Sequence, residues 1–258
     1  MVAHQLERYP FPVAYPARLF EIAEYPADQL DKAAHFVELT ATTLGVLALG
    51  WCRANSLTPG GVRQWENRLD PSGITLGTWN AAVRASGKAM KARPHDPLAR
   101  AIRLAASAVL PGLEEYALTR NVYAHGGKPR LRPDQQTAVD SLDTGVSAIL
   151  DGIEPLTQLR LGLVTHCRRH GRSYLIELEV MTGFAEPFPQ RRLRSPRPYG
   201  RGVRVARAAK EGLTGRLHPA EYRRTSAPVA DTAIPQMTSA KHRHNTKLRP
   251  PAMVPAAT

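Results

Sequence analysis

The sequence predicts a mainly α fold: an antiparallel four-helix bundle, then a β-hairpin or truncated β-module, then a disordered basic tail. Three observations carry this. Apolar residues recur at steps of three and four along segments between residues 28 and 156. Helix start and stop residues bracket those segments. Past residue 157 the period becomes two, and past residue 190 it is lost. The expected organisation is a lead-in over 1–27, helices over 28–156, a β-module over 157–189 and a tail over 190–258.

The lead-in carries Tyr9-Pro10-Phe11-Pro12, Tyr15-Pro16 and Tyr25-Pro26. Proline fixes φ and removes a donor, so this segment is expected to be extended, with its aromatic rings packed along the domain rather than offered as a proline-motif ligand. The first helix is expected near Asp28, with Asp28 as N-cap and Asp31 completing a weak capping box. Leu30, Ala33, Val37, Thr40, Leu44, Leu47 and Trp51 form one helical stripe over more than five turns, and His35 lies off it on the surface. Residues 55–61, with Pro59-Gly60-Gly61, read as a loop.

Leu76, Trp79 and Val83 share a face of a shorter second helix capped by Thr75 or Thr78. Trp65 and Trp79 are expected in the core; a stacking platform for bases is the rarer use of tryptophan at this spacing. The third helix has the clearest start, Asp96 at N-cap and Pro97 at N1. Leu98, Ile102, Ala105 and Val109 make its face, and Pro111-Gly112 is expected to kink or split it. The fourth begins around Pro133-Asp134, with Val139, Leu142, Val146, Ile149, Ile153 and Leu156 in step. Short connections between such helices favour an antiparallel bundle.

Residues 159–166 and 173–181 then read as strands around the turn-like Arg169-His170-Gly171-Arg172. An isolated hairpin is marginal, so it needs more strands or a helical surface to lie on. After Phe188 the chain is rich in Arg, Pro, Ala and Thr, with a short helical possibility near residues 203–211. Disorder is the expectation there. A reading-frame slip in GC-rich coding DNA would give the same abrupt change, and translating the neighbouring frames tests that.

The net charge of +13 is uneven: residues 190–258 hold 15 Lys+Arg against 3 Asp+Glu, and residues 1–189 hold 20 against 19. The basic character is thus assigned to the tail, which is expected to touch nucleic acid non-specifically if it touches it at all. Two cysteines, Cys52 and Cys167, are too few for a disulfide framework or a Cys-based zinc site. The N-terminus lacks a basic start followed by an apolar run. The longest apolar stretch, about residues 44–52, is shorter than the ~20 residues a bilayer needs. A soluble, cytoplasmic protein without a membrane partner is the expectation.

One stretch carries chemistry: Arg120-Asn121-Val122-Tyr123-Ala124-His125-Gly126-Gly127. The preceding residues are helix-compatible and the glycine pair is a stop signal, so a guanidinium, an amide and an imidazole gather near one helix terminus. This stretch resembles the signature of the HEPN superfamily, small helical domains marked by Arg-x(4 to 6)-His, often with Asn after the Arg. The resemblance covers about residues 27–152. It implies a helical bundle, a metal-independent RNase site at Arg120, Asn121 and His125 with no cofactor, and RNA as substrate. It also implies a homodimer or a HEPN-type partner that brings a second His and Arg, and a bacterial defence or toxin–antitoxin setting. Many HEPN domains are inactive adaptors, so the same resemblance implies, as the alternative, a non-catalytic interaction or dimerisation module.

The residue types suit RNA cleavage. Histidine moves protons near neutral pH. Arginine presents a planar fork to phosphate oxygens. Asn121 suits orienting the imidazole or holding a phosphate, and Tyr123 is an orienter or, more ordinarily, a packed ring. The products would be a 2′,3′-cyclic phosphate and a 5′-OH. In a purely structural role, His125 caps the helix and Arg120 binds late carbonyls or Glu114 or Glu115. His166-Cys167-x-x-His170 offers too few ligands for zinc, and His242-x-His244 falls in the tail. Walker, GxGxxG and Gly-x-Ser-x-Gly motifs are absent.

Overall fold

The computed structural model describes residues 5–59, 75–199 and 202–207. They form a mainly helical protein with a small antiparallel sheet: α1 (Phe11–Ile22), α2 (Pro26–Ala54), α3 (Leu76–Met90), α4 (Pro97–Val122), α5 (Arg132–Gly152), then β1 (Leu159–His170), β2 (Ser173–Val180), β3 (Gln190–Ser195) and β4 (Gly202–Arg207).

α2 is the central element. Its stripe Leu30, Ala33, Val37, Thr40, Leu44, Leu47 and Trp51 is buried throughout, and α1, α3, α4 and α5 all pack on it. By length and composition α2 could also cross a membrane, but most of its apolar window is buried inside this fold. Its start differs from expectation. Tyr25 is the N-cap and Pro26 opens the helix, while Asp28 makes no capping bond and lies 3.5 Å from Lys32. A proline at N1 supplies the helical φ without needing a donor, so the cap is dispensable. His35 is half-buried rather than fully solvated.

The lead-in is the first correction. Residues 11–22 are helical, not extended. Pro12 sits in the first turn, where the missing N–H has no intrahelical partner to lose. Pro16, inside the helix, forfeits one backbone bond; burial of Val13, Ala14, Ala17 and Phe20 along one face offsets it.

The other helices follow the sequence closely. Thr75 caps α3, its hydroxyl accepting from the Thr78 N–H at 3.3 Å. Trp79 is partly buried against the core over Gly45 of α2, where an added Cβ would overlap the indole ring. Trp65 lies outside the described residues. Asp96 caps α4 by accepting from the N–H groups of Leu98 and Ala99, each at 2.9 Å. Pro111 does not split α4, because it is on the exposed side, where water can reach the carbonyl it leaves unbonded. An exposed ion pair, Arg84 to Glu114, joins α3 to α4.

The β region is larger than a hairpin. The sheet order is β3-β2-β1-β4, all antiparallel. The hairpin turn is tighter than expected: His170 pairs with Ser173, leaving Gly171-Arg172 as a two-residue loop with Gly171 at φ 62°. Glycine at the first of two loop positions suits a type II′ hairpin. β3 and β4 correct the expected start of disorder at residue 190 and the helical possibility near 203–211. In β4 the sequence alternates Val203-Arg204-Val205-Ala206, a strand period, and Leu193 of β3 pairs with Ile176. Residues 208–258 lie outside the described residues.

The sheet is fastened to the helices at two places. Leu159 and Leu161 belong to the same buried core as the helices. The segment after β2 meets the N-terminal segment: Phe11 N–H donates to Met181 O at 3.1 Å, Gly183 N–H donates to Tyr9 O at 2.9 Å, and Phe11 meets Phe188 edge-to-face. The Tyr9 hydroxyl donates to Leu150 O at 3.2 Å, tying the same residue to α5.

The α2–α3 contact has a sharp test. Gly45→Ala is expected to destabilise the protein by about 1–3 kcal/mol through overpacking against Trp79. A Gly45→Ala, Trp79→Leu double variant should recover part of that loss, as read by urea midpoints at unchanged m-value.

Candidate functional site

The end of α4 is closed by its own glycines. The wide turn Tyr123–Gly127 has His125 at φ −94°, ψ 20° and Gly126 at φ 93°. A bridge-region residue followed by a left-handed glycine is the pattern of a Schellman closure, with His125 as C-cap, rather than a stretch of regular helix. Gly127 follows because the chain passes tightly over Val122: an added Cβ would come 2.5 Å from Val122 Cγ1.

Two ion pairs hold this turn against α2. Arg120 Nε lies 2.7 Å from Glu38 Oε1, and Lys128 Nζ lies 2.6 Å from Asp31 Oδ1. Asp31 and Glu38 are seven residues apart, two turns of α2, so they share a face and grip the chain before and after the glycines. Both pairs are solvent-exposed, 46%/42% for Arg120 and Glu38, and such pairs contribute only ~0–1 kcal/mol each. Beneath Arg120, one turn earlier, Tyr116 is buried. Burial, reinforced by the nearby Glu38 carboxylate, pushes its phenol well above the usual tyrosine range, so it stays neutral.

His125 lies past the end of α4, in the glycine turn, and Arg120 is turned toward Glu38 of α2. Within α4, Leu118, Asn121 and Val122 share a face, within about 100° of one another. That face is uncovered: Leu118 is 69% and Val122 58% exposed, and Asn121 and His125 are exposed too. Among the described residues, the side chains of Asn121 and His125 have no hydrogen-bond partner. Arg120 does have an acidic partner, but it is Glu38; Glu114 is taken by Arg84. Tyr123 is half-buried.

Glu38, Asp31, Lys128 and Tyr116 were missed by sequence reasoning. The available signal was the seven-residue spacing of Asp31 and Glu38 along the border of the α2 stripe, with a cation just past the glycine pair.

Other features add no chemistry to this site. A groove of about 350 Å³ lies between α1, α2 and α5, lined by Phe20, Gln29, Gln136, Val139, Asp140 and Asp143. None of its lining residues belongs to the motif, and its two carboxylates would repel a phosphate. On β1, consecutive pairings place His166 and Cys167 on opposite faces of the sheet, and the Cys167 sulfur accepts from Tyr199 N–H at 3.3 Å. No group of three or more potential metal-ligating side chains occurs among the described residues. His242 and His244 lie outside them. Comparison of the chain with protein-family models, with curated proteins and with solved structures gives no match.

The closure is testable at Gly126. Gly126→Ala forces a Cβ into a left-handed backbone and is expected to cost about 1–2 kcal/mol, with Gly126→Asn costing less. Chemical denaturation of the three proteins side by side checks this order.

Proposed function

We propose that this chain is a HEPN-like, metal-independent endoribonuclease of a bacterial defence or toxin–antitoxin system, acting in the cytoplasm. In this reading α2 to α5 are the antiparallel four-helix HEPN core and α1 is an addition to it. The supporting observation is the uncovered end of α4, where Leu118, Asn121 and Val122 are exposed and the exposed, unpartnered His125 follows in the glycine turn. An apolar patch next to unengaged polar groups suits a seam between two copies, each copy bringing an imidazole and an arginine to one RNA strand.

The chemistry then divides as follows. One His125 takes the proton from the 2′-OH, and the 2′-oxygen attacks the adjacent phosphorus. The partner copy's imidazole protonates the departing 5′-oxygen. Arg120 exchanges Glu38 for the phosphate oxygens and stabilises their charge as the five-coordinate state forms. An exposed pair with Glu38 makes that exchange inexpensive. Asn121, four residues before His125, orients the ring or the phosphate.

A second reading is favoured by one observation. Arg120 is already satisfied by Glu38 on the side facing α2, which suits a non-catalytic interaction module whose outward face only pairs with another protein.

The readings separate in one experiment. The full chain and its His125→Ala, Glu38→Gln and Leu118→Glu/Val122→Glu variants are incubated with mixed RNA in excess EDTA, and product ends are mapped. As an RNase, the protein should leave 2′,3′-cyclic phosphate and 5′-OH ends, and His125→Ala should cut about 10²–10⁴-fold more slowly. Glu38→Gln, which frees Arg120, should cut at least as fast as the parent. The double glutamate variant should sediment as a monomer and lose cleavage. A folded dimer that cuts nothing in any form would establish the interaction module instead.

A further inference from the structure

The charge of the protein is organised by the sheet. Residues 1–158 contain 16 Lys+Arg and 16 Asp+Glu, a balance of zero. The described residues of the β region, 159–199 and 202–207, contain 10 arginines, no lysine, and only Glu177, Glu179 and Glu186, a balance of +7. More than half of the net charge of +13 thus belongs to a folded element rather than to the sequence beyond it.

The register concentrates it further. β1 is 12 residues, about 40 Å, and only its first half is covered. Leu159, Leu161 and Val164 are buried, whereas His166, Arg168, Arg169 and His170 are exposed. Directly paired residues point to the same side of a sheet. Arg168 pairs with Leu175, which pairs with Arg194; the next row is His166, Glu177 and Arg192. Arg168 and Arg194 therefore stand on one face, two strands and roughly 10 Å apart. Arg172 sits at the hairpin tip, and Arg169 and Arg191 project from the opposite face. The carboxylate facing this array, Glu177, is 3.1 Å from Arg192. Glu179 lies one step further from the tip. Among the described residues, Arg168, Arg169, Arg172, Arg191, Arg194 and Arg197 make no ion pair.

We infer that the distal end of the sheet is a binding surface for the phosphate backbone of RNA. Five unpaired arginines at this end, Arg168, Arg169, Arg172, Arg194 and Arg197, match a polyanion in sign, and the guanidinium fork matches phosphate oxygens in geometry. The choice of RNA over other polyanions rests on the ribonuclease reading above. The surface would then hold substrate that the end of α4 cuts.

The test measures binding without cleavage. The full chain carrying His125→Ala is titrated into a fluorescein-labelled 20-nucleotide single-stranded RNA of mixed sequence in EDTA, over a range of salt, by anisotropy. A variant with Arg168→Gln, Arg172→Gln and Arg194→Gln is compared with one neutralised beyond the sheet, Lys241→Gln, Arg243→Gln, Lys247→Gln and Arg249→Gln. The sheet variant should bind about 10-fold or more weakly, with the slope of log K against log salt reduced by about 2, since each phosphate contact to a single strand contributes ~0.7. The second variant should bind within about 3-fold of the parent. Unchanged binding by the sheet variant overturns the inference. So does tighter binding to duplex DNA or to phosphatidylserine vesicles than to the RNA. RNA binding that depends on the sheet, in a protein that never cuts, would overturn the ribonuclease and leave this surface standing.

Discussion

Burial of α2 on several sides is the constraint from which the rest of the fold follows. A 29-residue helix with apolar and small side chains in near-continuous register cannot expose that surface to water, and four other helices are needed to cover it. Small residues set how closely they come: at Gly45 the Trp79 ring of α3 occupies the volume a side chain would take. Because α2 is central, its polar border faces every neighbour. That is how Asp31 and Glu38 reach the end of α4 although they lie more than 80 residues earlier in the chain.

The parts of the fold legible in the sequence were those written in a single period. The α2 stripe, the Asp96 cap and the paired strands β1 and β2 are local patterns, and the folded chain uses them as read. The departures have a common cause, in that composition was given priority over position. Prolines at 12 and 16 argue against helix on average, yet the first turn tolerates one, and a buried face outweighs the other. Arginines in residues 190–195 suggested a solvated tail, yet long charged side chains are ordinary on exposed sheet faces and edges, where they also block unwanted pairing. At the candidate site the helix end and its glycine closure were legible. The direction of Arg120 was not, because it depends on Glu38, and no local pattern reports which distant carboxylate a guanidinium will meet.

The site and the sheet differ in the kind of electrostatics they use. At the end of α4, Arg120 and Lys128 are each matched by a carboxylate of α2, so these charges position a turn. On the distal sheet the cations greatly outnumber their partners, so the field extends outward and concentrates counter-ions.

The bonds from Tyr9 and Phe11 to Met181 and Gly183 also set an order of events during synthesis. The partners are about 170 residues apart, so the first helix emerges long before the strand end that receives it. At ordinary translation rates of ~5–20 residues per second, the segment around Phe11 waits roughly 10–30 s for its partner. Its apolar face can settle on α2 during that time, before the backbone bonds to Met181 and Gly183 can form. Closing the chain on itself therefore adds a second attachment of the sheet to the helices, later than the one that Leu159 and Leu161 make in the core.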